Sequence, residues 1–208
     1  MDKAQLLTMT QNLLFVDIGT SSISWEIDGC YNSIDIKNFQ VSAIPQHQAS
    51  IIACVANHDI IQHFSNPAIV SPKPYKDLDF DYNLEQLGVD RFLGLVAGYD
   101  KYPEQDFMVV DIGTFVTIDK VCSKRHIDGG IAPGLHQLQA CKTFTGEDSQ
   151  RSWRLGTRNM LCDAIEKRCE TFNGKILMTG GGQQIVNIEK GEYYQNLVIE
   201  GLKVLYGE

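Results

Sequence analysis

The sequence has no run of apolar residues near the ~20 that a membrane helix requires, and this argues against a membrane protein. Its opening stretch, Met1–Asn12, is mixed and polar, without a basic segment leading into a long apolar one. No secretory leader is expected from it, and the expected location is cytoplasmic. There is no C-x-x-C pair, and the spacing of Cys30, Cys54, Cys122, Cys141, Cys162 and Cys169 fits no zinc pattern. The six are read as reduced thiols, several of them in the core. Net positive charge is also lacking. A formal charge of −8 over 208 residues argues against a general nucleic-acid binder. The one basic cluster, Lys120, Lys124, Arg125 and His126, is interrupted by Val121, Cys122 and Ser123, and it reads as a solvated hairpin tip.

What is present is ordinary globular material, 43% hydrophobic and 21% charged, enough for one large domain or two small ones. A short internal repeat favours two. Leu13-Leu14-Phe15-Val16-Asp17-Ile18-Gly19-Thr20 recurs as Phe107-Met108-Val109-Val110-Asp111-Ile112-Gly113-Thr114. After the first copy, Ser22–Ile27 alternates as a half-buried strand does, Asp28-Gly29 signals a tight hairpin, and Tyr31–Ile36 supplies a third strand. After the second, Phe115–Val121, a turn at Cys122–Arg125 and His126–Ile131 repeat the scheme. Helices are expected over Asn83–Val96 with a break at Gly88, over His136–Phe144 and Asn159–Cys169, just after Gly182, and over Tyr193–Tyr206. Lys175–Thr179 reads as a buried strand. The expectation is a duplicated α/β chain, residues 1–104 and 105–208, with the boundary in the polar stretch Tyr99–Asp106 and a cleft between the halves.

Each copy ends an apolar strand in Asp, then Gly and Thr on a turn. Glycine lets the backbone approach a ligand closely. Successive N–H groups of such a turn can cradle phosphate oxygens, with hydroxyls as added donors. An Asp beside phosphates can hold a cation such as Mg²⁺, directly or through water. One isolated Asp-Ile-Gly-Thr reads as a plain β-turn. Two copies in matched contexts favour a shared nucleotide. In Gly88-Val89-Asp90-Arg91, Asp90 can accept a proton from a hydroxyl and Arg91 can clamp a carboxylate or phosphate, although a solvated helix face would give the same composition. Gly180-Gly181-Gly182 after a buried strand suits either a flat ligand or a simple turn.

The ordered set of these motifs resembles the type III pantothenate kinases, of the actin-like ATPase superfamily. That family carries Asp-x-Gly-Asn-Thr, Gly-x-Asp-Arg, Asp-x-Gly-Thr-x-x-Thr, Gly-Gly-x-Ile-x-Pro-Gly and Thr-Gly-Gly. Here they stand as Asp17–Ser21, Gly88–Arg91, Asp111–Thr117, Gly129–Gly134 and Thr179–Gly181. The resemblance implies a duplicated ribonuclease-H-like fold and ATP-dependent phosphorylation of pantothenate, the first step toward coenzyme A. It implies Asp90 as general base, and pantothenate contacts from Tyr82, Gly88, Val89, Asp90, Arg91 and Asn159. For ATP it implies Asp17, Ile18, Gly19, Thr20, Ser21, Ser22, Ile23, Ser24 and Thr114. It implies Asp111 at a monovalent cation (K⁺ or NH₄⁺), a requirement for Mg²⁺, and a homodimer. Thr20 departs from the family's Asn, Leu84 from a Pro, and Tyr82 stands one residue closer to its motif. Thr157 is the alternative to Asn159. Another kinase or phosphohydrolase of the superfamily, or a binding-only accessory role in transcription, are the competing readings.

Overall fold

The structure, a computed structural model, describes residues 12–206, so nearly all of the polar opening stretch lies outside the described residues. Two compact units emerge. The first takes the described residues up to Lys76, then Tyr82–Asp100, then the segment from Leu197 on. The second takes Asp77–Asp81 and Lys101–Asn196. The chain therefore passes between the units several times.

The first unit is built on strands β1 (Leu13–Ile18), β2 (Ser22–Ile27), β3 (Cys30–Asp35), β4 (Ala49–Cys54) and β5 (Pro67–Ile69). They lie in the order β3-β2-β1-β4-β5. The hairpins β1–β2 and β2–β3 are antiparallel, while β4 and β5 run parallel to β1. Asp28 and Gly29 both take positive φ in the tight turn between β2 and β3, as the Asp-Gly pair dictates. Apolar alternation puts Leu14, Val16, Ile18, Ile23, Trp25 and Ile52 on one face, packed with Ile60 and Phe64. Each fully buried aliphatic side chain contributes roughly 1.5–3 kcal/mol. Helices α1 (Val89–Lys101) and α4 (Leu197–Tyr206) complete the unit. They touch so closely that a Cβ at Gly201 would collide with the Leu93 carbonyl. Lys203 of α4 reaches Glu26 of β2 at 2.9 Å.

The second unit repeats the plan. Strands β7 (Phe107–Ile112), β8 (Phe115–Cys122), β9 (Arg125–Pro133), β10 (Lys175–Thr179) and β11 (Gly191–Tyr193) take the order β9-β8-β7-β10-β11, with the same parallel and antiparallel pairings. One short strand, β6 (Asp79–Phe80), is added beyond β9. Helix α2 (Leu135–Ala140) is followed by the long α3 (Glu147–Glu170), whose Leu161, Cys162, Ile165 and Cys169 pack on Met108, Val110, Ile112 and Met178. Two sheets of matching order give the duplicated α/β chain expected from the repeat, and their strand order is that of the ribonuclease-H-like fold the family resemblance implies.

Several boundaries differ from expectation. Residues 83–88 do not begin a helix. The Asn83 side chain accepts the Glu85 N–H at 3.0 Å and the Asn83 carbonyl accepts those of Gln86 and Leu87, so the segment closes on itself as a turn. Helix α1 starts only at Val89. Helix α3 begins twelve residues before the expected Asn159, and in its first ten residues no side chain is buried, so no apolar stripe marks it. After Gly182 there is a single 3₁₀ turn, Gln183–Ile185, instead of a helix. Tyr193 ends β11, which delays α4 to Leu197. The basic hairpin tip is not simply solvated. Lys124 bridges Asp77 and Glu104, Arg125 lies 3.4 Å from Asp79, and His126 is buried with Nε2 2.9 Å from Asp119. Strand β6, carrying Asp79 beside β9, is what supplies that cover. No helix among the described residues is long and apolar enough to cross a membrane.

Candidate active site

The first turn grows directly out of β1. Asp17 is the last side chain but one on the strand, partly exposed, paired across to Ser24 and alongside Ala53 of β4. The Gly19 N–H donates to the Ser22 carbonyl at 2.9 Å, and that bond reverses the chain into β2. Thr20 and Ser21 are exposed, and Gly19 and Ser22 partly so. The other expected nucleotide contacts sit differently. Ile18 and Ile23 are fully buried in the core, and Ser24 is buried within the hairpin, where its hydroxyl donates to Ser33 and accepts from Tyr31. Any contact these three make to a ligand is limited to their backbone.

Two further residues border this turn that the motif does not include. Asn57, in the loop after β4, donates from its side-chain amide to the carbonyls of Gly19 and Thr20. Cys54 ends β4 with its thiol 3.3 Å from His58 Nδ1. Burial is the main influence on this thiol and pushes its pKa up, the hydrogen bond to the Ala56 carbonyl works against that, and the Asp17 charge adds to it. Asn57 carries no sequence signal beyond an Asn able to take a left-handed backbone.

The hydroxyl-acceptor segment lies in the same unit. Asp90 stands in the first turn of α1, where its Oδ1 accepts the N–H of Arg91 at 2.8 Å. Arg91 is buried to within 6% of its surface, and its guanidinium lies 5.3 Å from the centre of the Tyr82 ring. The structure thus brings the Arg91 guanidinium over the Tyr82 ring, with Asp90 held next in sequence by the Arg91 backbone N–H. Gly88 sits just ahead of the helix and its carbonyl accepts the Phe92 N–H, while Val89 is buried.

The second unit holds the other turn. Asp111 is partly exposed near the end of β7, flanked by Thr117 of β8 and Thr179 of β10. The Gly113 N–H donates to the Phe115 carbonyl, the Gly134 N–H to that of Thr114, and the Gly182 N–H to that of Ile112. Thr114 is partly exposed. Gly180 has φ +92, and a Cβ there would collide with the Asp111 carboxylate and the Ile112 carbonyl. Gly180 and Gly182 are therefore needed for packing against the Asp111 turn, while Gly181 between them faces open space. Asn159 is exposed on α3. Thr157, its alternative, is buried, and its hydroxyl bonds the Trp153 carbonyl one helical turn back at 2.8 Å.

No group of three or more His, Cys, Asp or Glu suited to a metal occurs among the described residues. Single half-exposed carboxylates on glycine turns, as at Asp17 and Asp111, fit cations whose remaining ligands are phosphate oxygens and water.

The sequence profile of the type III pantothenate kinase family matches residues 13–145. The type III pantothenate kinase of Hahella chejuensis is 36% identical over 141 residues, 57% of this chain and 58% of that protein. The one from Pseudoalteromonas translucida is 28% identical over a stretch covering 93% of this chain and 95% of its own length. Among solved structures, a Campylobacter jejuni protein named for the Baf family of transcriptional activators superposes with a TM-score of 0.65 at 22% identity. That match covers 91% of this chain and 95% of the other, and at this identity it speaks for the fold alone.

Proposed function

Because the chain belongs to the type III pantothenate kinase family, whose members phosphorylate pantothenate on the way to coenzyme A, we propose that it transfers the γ-phosphoryl group of ATP to the pantothenate hydroxyl, with Asp90 as proton acceptor. The observation that carries this reading is the cluster at the start of α1. There the Asp90 carboxylate is held at the start of the helix by the Arg91 backbone N–H, and the buried Arg91 guanidinium lies over the Tyr82 ring. Arg91 and Tyr82 bind the carboxylate end of pantothenate, and Gly88 and Val89 shape the backbone beside it. Asn159 is the family's late substrate contact, and the occupied hydroxyl of Thr157 favours Asn159 over it.

Asp90 removes the hydroxyl proton as the oxygen approaches the γ-phosphorus. The bond from phosphorus to the bridging oxygen breaks, and ADP leaves. The transition state of such a transfer is loose, so the protein acts mainly by positioning and by neutralising charge. Thr20, Ser21 and Ser22 offer N–H and hydroxyl donors to the phosphates, Gly19 lets the backbone come close to them, and Ile18, Ile23 and Ser24 contribute backbone only. Thr114 offers a hydroxyl on the second turn. Asp17 would hold Mg²⁺, directly or through water, and Asp111 would hold K⁺ or NH₄⁺. These cations, when bound, offset the phosphate charge.

The same reading makes the protein a cytoplasmic homodimer. Six free thiols suit a reducing compartment, and the exposed Phe115, Ile127 and Ile131 suit a self-association surface. The reading also takes residues 1–104 and 105–208 as the two halves of the repeat, although Asp77–Asp81 and residues 101–104 pack in the second unit and the last helix in the first.

ADP release measured with a panel of acceptors tests the reading. Pantothenate should outperform acetate, glucose and polyphosphate. A preference for any of those three would assign the chain to a different reaction of the superfamily. Nucleotide binding without turnover on any acceptor would make it a binding protein.

A further inference from the structure

Asn57 lies 37 residues beyond the first turn, on the loop that leaves β4, yet its side-chain amide is the partner of two successive backbone carbonyls there. Its Nδ2 is 2.8 Å from the Gly19 oxygen and 3.3 Å from the Thr20 oxygen. A side-chain amide has two N–H donors, one for each of these carbonyls. In a trans peptide the C=O and the following N–H point in opposite directions. The Gly19 carbonyl shares its plane with the Thr20 N–H, and the Thr20 carbonyl shares its plane with the Ser21 N–H. Two carbonyls drawn to one side therefore aim two consecutive N–H groups to the other, the arrangement that binds anions.

We infer that Asn57 is a positioning residue for the nucleotide, one that fixes the Thr20 and Ser21 amides toward the phosphates without touching them. The inference rests on the reading that this turn holds the phosphates of ATP. Three features hold Asn57 in place. Its own backbone is left-handed, with φ 54 and ψ 43, a region Asn enters more readily than most residues. The Ile60 N–H donates to its carbonyl at 3.0 Å and starts the 3₁₀ turn His58–His63. Two residues earlier, the Val55 N–H donates to the Ile18 carbonyl at 3.1 Å, which ties the exit of β4 to the exit of β1. The amide is thus presented from a braced loop. Without it, the two peptide planes at the tip of an exposed turn are free to rotate, and the phosphate site has to be ordered by the ligand itself.

Two variants separate this role from a structural one. Asn57→Gly keeps the left-handed backbone accessible and deletes the amide. Asn57→Asp keeps the size and replaces the donor by an acceptor that repels both carbonyls. The measurement is isothermal titration of a non-hydrolysable ATP analogue with Mg²⁺ into the full chain without any acceptor, followed by KM for ATP and for pantothenate. The expected result is nucleotide affinity about tenfold weaker in Asn57→Gly and weaker still in Asn57→Asp. KM for ATP should rise in parallel, with KM for pantothenate and the melting temperature of the glycine variant near wild type. Wild-type affinity in Asn57→Gly would overturn the inference. So would a parallel loss of both KM values with a large drop in melting temperature, the mark of a merely structural residue. Should the glycine variant fail to fold, unchanged nucleotide affinity in Asn57→Asp overturns it equally. A wild-type chain that binds the analogue but makes no phosphopantothenate would refute the functional reading and leave the Asn57 result intact.

Discussion

The two Asp-Ile-Gly-Thr turns have the same sequence and the same place in matching sheets, but they are held by different means. Strand pairing sets Asp17 beside Ala53 and Asp111 beside Thr179, so the residues that follow, Cys54–Asn57 and Gly180–Gln183, correspond. In the first unit this loop has ordinary side chains and reaches the turn through the Val55 N–H, given to the Ile18 carbonyl, and through the Asn57 amide. In the second it has three glycines and lies directly against the turn. Gly180 contacts the Asp111 carboxylate, and the Gly182 N–H donates to the Ile112 carbonyl at 2.7 Å. Gln183 corresponds to Asn57, but its buried Oε1 has no hydrogen-bond partner. Both loops give a backbone N–H to the isoleucine carbonyl, but the first turn also takes a side-chain amide that can be removed, while the second is packed so closely that position 180 tolerates no Cβ. A repeat preserves a turn geometry without preserving every contact that holds it.

The largest effect should come from outside both turns. If the turns bind and Asp90 accepts the proton, Asp90→Asn lowers kcat about 10²–10⁴-fold, roughly 3–5 kcal/mol of barrier, with nucleotide affinity unchanged. Single-turnover kinetics beside nucleotide titration would show it, and near-normal turnover would remove Asp90 from the chemistry. Next in size is a matched pair of substitutions at corresponding loop positions. Gly180→Ala forces a Cβ against two oxygens at positive φ and should cost about 3 kcal/mol or more in urea unfolding. Cys54→Ala loses one thiol contact to the Ala56 carbonyl and should cost about 1 kcal/mol. Equal costs would contradict the contrast between the loops. The smallest effect concerns β11, at the edge of the second sheet. The Tyr102 hydroxyl donates to the Glu192 carboxylate at 2.5 Å and, outweighing burial, holds it below its usual 4.5. A depressed carboxylate adds stability above about pH 4.5 and loses it as pH falls through the folded value. The stability gap between wild type and Glu192→Gln should therefore narrow in acid, as melting curves at pH 7 and at pH 4 would reveal.

Much of this architecture is legible in the amino-acid sequence itself. The repeat locates both Asp turns and the matched hairpins, because alternating apolar residues and an Asp-Gly pair are local signals. The cluster of Tyr82 with Arg91 is legible in part, as motif membership but not as a stacked pair. Asn57 is not legible, since nothing local distinguishes a loop Asn whose role depends on a strand pairing 38 residues away. Strands β4 and β5 escape a sequence reading as well. So does the first half of α3, where exposed polar residues and Gly156 give no apolar period. His126 reads as surface because its cover, β6, comes from a distant segment.

The central claim, that this chain phosphorylates pantothenate with ATP, is tested most directly by mass spectrometry of the product. Purified chain incubated with ATP, Mg²⁺, K⁺ and pantothenate should yield 4′-phosphopantothenate in step with ADP. ADP formed without phosphopantothenate, or no ADP at all, would contradict it.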